Sequence, residues 1–394
     1  MLTIDSTIFS RGVADIVTRE ELQKLLQSGK RLRIKHGIDA TSPDLHVGHA
    51  VSLWKMRALQ EEGHSAIILF GDVTTRIGDP TGKSKTRPAL SPAAVRKNIR
   101  SLKKQVEKIL STDKKLYQAH VSSEWYRTMR FEQFLKLLSM VTHARLIERD
   151  MFRARMKEGS EIFMHELSYP ILQGYDSVML KSDLTIIGSD QLFNEHMGRF
   201  FQEKFGQSPQ VIMSMKILPG LDGGEKMSKS LGNFIGISDT PQDKFGKVMK
   251  LKDSLIVPYF EVYTDVPEDE IAAVKKKLDE GGNPKDAKLS LAEAIVARYH
   301  GIEIAKKEHR RFINLFSKKE MSDIPYAEIS EGTYNALEIL IRLKSASSRS
   351  EARRLIMQRA CAVDGSIIDN PNGFIPLKSG MVVRVGKKSF FRIR

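Results

Sequence analysis

The sequence predicts an α/β protein: a parallel-sheet domain first, a helical domain next, and a small α+β domain last. Three observations predict it. In the first half, short and continuously apolar runs such as Ser65–Gly71 alternate with helical stretches, as strands buried on both faces of a parallel sheet do. From 241 to 320 the chain is charged and helical, with a glycine-proline break at 281–284. The last sixty residues combine two short helical patterns, a Val363-Asp364-Gly365 turn of the hairpin kind and an alternating run at 381–386. The expected domains are 1–235, 236–325 and 335–394, with a linker at 322–332.

Residues 1–31 read as helical, since Leu22, Leu25 and Leu26 share one apolar face. A strand over 32–38 follows, broken at Gly37. A turn cluster runs from Asp39 to Asp44, and a helix over 45–62 precedes the apolar strand 65–71. This is a βαβ unit, and the sheet it implies is Rossmann-like, with nucleotides bound at the carboxyl ends of its strands. There the chain reads GIDATSPDLHVGH, residues 37–49. The first N–H groups of the helix lack internal partners and favour an anion. His46 and His49, three residues apart, share one face of the first turn, and Gly48 lets a ring or phosphate approach the backbone.

The loop 78–87 carries Asp79, Lys83, Lys85 and Arg87. Its TGKS superficially echoes a phosphate-binding P-loop, but the earlier glycine is missing and Pro88 blocks a clean helix start, so it reads as a basic loop suited to phosphates. A basic amphipathic helix over 91–111 and a strand over 117–121 come next. The helix 161–181 is mostly apolar, yet Tyr169, Gln173 and Asp176 recur at spacings of four and three and form one polar stripe. Each uncompensated buried polar group costs roughly 1–3 kcal/mol, so the stripe is expected to line a wet or ligand-filled pocket, with Pro170 kinking or breaking the helix near Ser168. A satisfied internal network is the other reading. The strand 184–188 ends in Gly188-Ser189-Asp190-Gln191 before a helix to 205. The strand 211–216 then leads through a glycine-rich segment, 220–224, into Lys226-Met227-Ser228-Lys229-Ser230.

Composition narrows the setting. No run of eighteen apolar residues offers a membrane span, and the N-terminus lacks the features of a signal peptide. A single cysteine, Cys361, excludes an internal disulfide framework and points to the cytoplasm. A net charge of +15 suggests a polyanionic partner, and residues 335–394 hold twelve Lys and Arg against four Asp and Glu, about half the excess.

HVGH followed some 180 residues later by KMSKS resembles the two signatures of class I aminoacyl-tRNA synthetases. With the Tyr169, Gln173, Asp176 stripe, the resemblance narrows to the tyrosyl-tRNA synthetases and covers essentially the whole chain. It implies activation of L-tyrosine with ATP and Mg2+, transfer to tRNA(Tyr), and a homodimer. It also implies that His46 and Thr41 contact the ATP phosphates, that His49 with Gly48 lies toward the ribose and ring, and that Lys226, Met227, Ser228 and Lys229 close over the pyrophosphate, assisted by Lys83 and Arg87. Asp190 would hold the adenylate ribose. Asp79, Tyr169 and Gln173 would bind the tyrosine ammonium, with Gln191 near the carboxyl group and Gly37 and Asp39 in the same pocket. Asp176 would accept the phenolic hydrogen bond, and Lys35 stands where some members carry a tyrosine as a second contact to that hydroxyl. His36 and Ala40 depart from the usual loop.

At the C-terminus, SRSEARRLIMQ followed by VDG resembles the RNA-binding module that many of these enzymes share with a ribosomal small-subunit protein. Arg349, Arg353 and Arg354 are its expected RNA contacts. The tryptophanyl branch shares the fold and both signatures, but without that module or that stripe. An idle paralogue acting only on RNA, and a nucleotidyltransferase of the same fold, are the remaining alternatives.

Overall fold

The computed structural model describes residues 2–79, 90–228, 231–316, 324–386 and 389–394. Lys83, Arg87 and Lys229, all expected site residues, lie outside them. The chain forms two compact units, 1–309 and 310–394.

The first unit is built on a six-stranded sheet: β1 (Val13–Val17), β2 (Arg33–Asp39), β3 (Ser65–Gly71), β4 (Tyr117–Val121), β5 (Leu184–Gly188) and β6 (Val211–Met215), in the spatial order β1-β6-β5-β2-β3-β4. All neighbours are parallel except β1, which runs antiparallel to β6. The purely helical reading of 1–31 is thus corrected. Only Arg19–Gln27 is α-helical, and β1 closes the sheet edge. Every residue of β3 is buried, as its apolar run requires. From β2 the chain continues to β3 on one side and returns to β5 on the other, so the crevice between the ends of β2 and β5 is the switch point where an open α/β sheet binds ligands.

The helix Met164–Leu180 continues through Pro170 without a break. It packs on the helix Leu192–Lys204 at Gly174, where a Cβ would come within 2.8 Å of the Phe201 ring and 2.9 Å of the Met197 backbone. This close approach is why glycine interrupts an otherwise bulky face. Phe152, Ile171, Met197 and Phe201 form the local core. Beyond the sheet, 241–309 is helical as expected.

The second unit joins two antiparallel sheets, β7 (Gly332–Asn335) with β10 (Phe374–Leu377), and β8 (Cys361–Val363), β9 (Ser366–Ile368), β11 (Val382–Val385) and β12 (Ser389–Arg392). Helices Ala336–Arg342 and Arg349–Met357 pack on them through Ile339, Leu340 and Ile356. The Val363-Asp364-Gly365 turn forms as expected, with φ of 46° at Asp364 and 84° at Gly365. At the start of the helix Arg349–Met357 half of a capping box forms. Ser348 Oγ accepts from the Glu351 N–H at 3.2 Å, while the Glu351 carboxylate turns to the Ser347 N–H at 2.8 Å.

Candidate active site

A cavity of about 670 Å³ opens at the β2–β5 crevice. The turn after β2 is held open by side chains from the helix Pro92–Val106: Gln105 accepts from the Leu45 N–H and donates to the Pro43 carbonyl, both at 2.8 Å, and Asn98 donates to the Ala40 carbonyl. Ala40 itself uses its N–H, which donates to Thr75 Oγ1 at 2.7 Å. The unusual His36 is accounted for by its Nδ1–H, which donates to the Ile186 carbonyl at 2.6 Å, while burial pulls its pKa down.

His46 is the N-cap of the helix Val47–Glu61, and its ring lies 3.7 Å from that of His49, centroid to centroid. The shared face expected from their spacing is thus present, and both line the cavity with Thr41 and Gly48. A Cβ on Gly48 would press to 3.0 Å against the His46 ring. The start of the histidine helix is tied to the segment just beyond the lysine motif: the Val47 N–H donates to the Ile235 carbonyl and the Ile237 N–H to the Leu45 carbonyl, each at 2.9 Å. Lys226 and Met227 line the cavity, and Lys226 Nζ pairs with Asp190 at 2.8 Å. Ser228 is not among the lining residues. Its N–H donates to Asn233 Oδ1 at 2.8 Å.

The polar stripe faces the same space. Tyr169 donates to Asp39 Oδ2 at 2.9 Å, and Thr74 donates to Oδ1 of the same carboxylate. Asp79 accepts from Gln191 at 2.7 Å, with Arg149 Nη2 at 3.7 Å. Asn194 donates to both Gln191 and Gln173 at 2.9 Å. Gly37 also lines the cavity, and a Cβ there would meet open space. Asp176 is 2% exposed. Its Oδ1 accepts from Trp125 Nε1 at 2.9 Å and Tyr126 OH at 2.7 Å, and its Oδ2 accepts no hydrogen bond among the described residues. Burial pushes its pKa up to about 7, against the downward pull of Tyr126, Lys35 and Trp125. Lys35, 1% exposed, donates to Ser177 and Glu195. The stripe is therefore both an internal network and a cavity wall.

Sequence reasoning missed Arg149, Asn194 and Glu195, as well as the Trp125 and Tyr126 donors. Asn194 and Glu195 sit in one helix, Trp125 and Tyr126 in another, and Arg149 just before a third, where each reads as ordinary surface or core until its partners are brought beside it. The expected RNA contacts Arg349, Arg353 and Arg354 are exposed on the first two turns of their helix in the second unit.

A histidine pair at a helix start, Lys226 across the same cavity and a polar pocket at the switch point are the arrangement expected of a class I tRNA synthetase. The family model for tRNA synthetases class I (W and Y) matches residues 27–317, and that for the S4 domain matches 337–376. Among curated relatives, the tyrosine–tRNA ligase of Moorella thermoacetica is 44% identical over 98% of this chain and 94% of its own. That of Thermotoga maritima is 42% identical over 98% and 96%. The chain belongs to the tyrosine–tRNA ligase family of class I synthetases. Its fold matches that of a tyrosyl-tRNA synthetase from Archaeoglobus fulgidus, solved with L-tyrosine, at a TM-score of 0.60 and 23% identity over 77% of this chain and 98% of the other.

Proposed function

We propose that this chain works as its family does, activating L-tyrosine with ATP to tyrosyl-adenylate and transferring tyrosine to tRNA(Tyr). The observation that carries the choice of amino acid is Asp176, a buried carboxylate with one oxygen committed to Trp125 and Tyr126 and the other without a protein partner among the described residues, on the wall of the cavity. A phenolic O–H completes it. Phenylalanine would leave it unpaired.

In the first step a tyrosine carboxylate oxygen attacks the α-phosphorus of ATP, the bond to the bridging oxygen breaks, and pyrophosphate leaves. The substrate is its own nucleophile, so the protein contributes position and charge. The Val47 helix start, His46 and Thr41 would receive the phosphates, and His49 with Gly48 the ribose and ring. Lys226 would leave Asp190 for the pyrophosphate, freeing that carboxylate for the ribose. Lys229, Lys83 and Arg87 would add positive charge there. Asp39, Asp79, Tyr169 and Gln173 would surround the ammonium, with Gln191 at the carboxyl group. In the second step a hydroxyl of the terminal adenosine of tRNA attacks the activated carbonyl, and AMP leaves.

Magnesium is expected to arrive on the phosphates of ATP, where it would neutralise their charge. Among the described residues no group of three metal-ligating side chains offers a site of its own. A homodimer is the expected assembly. Phe131 and Leu135, one turn apart and exposed on the helix Phe131–Ser139, and the exposed Met164 offer an apolar surface for it. The helical segment 236–325 is assigned to the anticodon side of tRNA, the segment 335–394 to RNA binding, and the cytoplasm is the expected compartment. Among the described residues no helix is long and apolar enough to cross a membrane.

Amino-acid-dependent exchange of pyrophosphate into ATP tests the reaction. Tyrosine must support it, and a chain that exchanges with no amino acid would refute the proposal. Deleting 335–394 is expected to leave exchange within about twofold of the full chain while lowering tRNA charging by ~100-fold or more, since the exposed arginines supply salt-dependent phosphate contacts. Full charging by the truncated chain would refute the role given to that segment.

A further inference from the structure

Glu195 has no part in the scheme above, yet its carboxylate accepts hydrogen bonds from three side chains. It lies on the helix Leu192–Lys204, lines the cavity and is 2% exposed. Lys35 Nζ donates to both carboxylate oxygens at 3.0 and 2.7 Å, Gln173 Nε2 to Oε1 at 2.8 Å, and Gln210 Nε2 to Oε2 at 2.7 Å. Taking such a pair out of water carries a desolvation penalty that its mutual attraction need not repay, and apolar side chains of similar volume often serve a core as well or better. Stability alone gives little reason for the pair to stand here.

Its position gives one. Gln173 belongs to the ammonium group of residues and Lys35 to the hydroxyl end beside Asp176, so one carboxylate ties both ends of the amino-acid pocket together. We propose that Glu195 is a specificity-determining positioning residue: it fixes the Gln173 amide for the substrate ammonium and sets the electrostatic balance felt by Asp176. The inference rests on the tyrosine reading of the site.

The groups facing Asp176 are Tyr126 and Trp125 from the helix Ser123–Tyr126, Lys35 from β2, Glu195, and Tyr169 from its own helix. Those facing Glu195 are Lys35, His36 and Asp176, with His196 beside it on its own helix. At Asp176 the Glu195 charge raises the pKa and the Lys35 charge lowers it. Neutralising Glu195 leaves the lysine unbalanced, so Asp176 ionises at lower pH.

The test compares full-length wild type with Glu195→Gln and Glu195→Asp in ATP–pyrophosphate exchange, measuring kcat and KM for tyrosine from about pH 5.5 to about pH 9. Glu195→Gln is expected to raise the tyrosine KM by ~10-fold and to move the acid limb of kcat/KM about one pH unit downward. Glu195→Asp keeps the charge but shortens the reach. It is expected to raise KM with the acid limb where the wild type has it. A merely structural role would lower kcat or the melting temperature and leave the acid limb of both variants in place, which would overturn the inference, as would wild-type KM in both. If Glu195→Gln does not fold, Glu195→Asp decides through KM. A wild type inactive with tyrosine would instead count against the tyrosine reading itself.

Discussion

Asp176→Asn is expected to abolish most of the preference for tyrosine over phenylalanine. The asparagine fits the same space, and its Oδ1 can still accept from Trp125 and Tyr126. What changes is the atom facing the ligand, from a carboxylate oxygen that accepts the phenolic proton to an amide N–H2 that cannot. In the wild type, phenylalanine leaves a desolvated carboxylate without its partner. Tyrosine–tRNA ligases are themselves the reference case for this penalty, so the expected factor of about 10⁵ is the family's and is not deduced from this cavity. The variant is expected to lose most of it, chiefly through a fall in kcat/KM for tyrosine.

The same substitution has a signed effect on stability. The Asp176 pKa stands near 7 in the fold, raised from 3.8 by burial. A folded state that holds its proton more tightly than the unfolded chain is favoured most below the unfolded value, and that advantage is lost as pH rises through the folded value. Ionised Asp176 therefore costs stability at pH 8. One pKa unit corresponds to about 1.4 kcal/mol, so Asp176→Asn is expected to raise stability at pH 8 by a few kcal/mol at most. The gain should vanish toward pH 4 (roughly the unfolded carboxylate value). Thermal melts of both proteins across that range check it. For tyrosine activation the sign is opposite: wild-type kcat/KM falls as pH drops through about 7, where the acceptor becomes protonated.

His46→Ala is the second large effect. His46 is the N-cap residue of the helix Val47–Glu61, lies against His49 and lines the cavity where the phosphates are proposed to bind. If it stabilises charge that develops on those phosphates, its loss falls on the transition state. Removing one such donor costs ~10²–10³ in kcat. The tyrosine KM should change little, because Asp176, Gln173 and Asp79 remain. Single-turnover adenylate formation separates the two quantities. A large rise in tyrosine KM with unchanged kcat would assign His46 to the amino acid instead.

Much of this site is legible before folding because its chemistry is carried by motifs at the ends of strongly apolar strands. The runs 65–71 and 184–188 leave little choice but burial in a sheet, and the residues after them must face the crevice. Tyr169, Gln173 and Asp176 stand out because three polar side chains on one face contradict an apolar helix. β1 is not legible in the same way. Only Val13 and Ile16 of its five residues are buried, and the leucines that follow impose a helical period on the whole segment. Glu195 and Arg149 escape notice for a different reason. A single acid on an amphipathic helix, or an arginine just before one, resembles a solvated face until Lys35, 160 positions from Glu195, or Asp79 is brought beside it. Arg349, Arg353 and Arg354 were legible as a basic helix face, which the second unit leaves exposed.

Asp176 is the residue proposed to choose the substrate. That role is tested most directly by ATP–pyrophosphate exchange with tyrosine, phenylalanine and tryptophan supplied separately to wild type and Asp176→Asn, side by side. Exchange with tyrosine alone is expected in the wild type, and a collapsed tyrosine-to-phenylalanine ratio in the variant. A variant that retains the wild-type ratio would contradict that role.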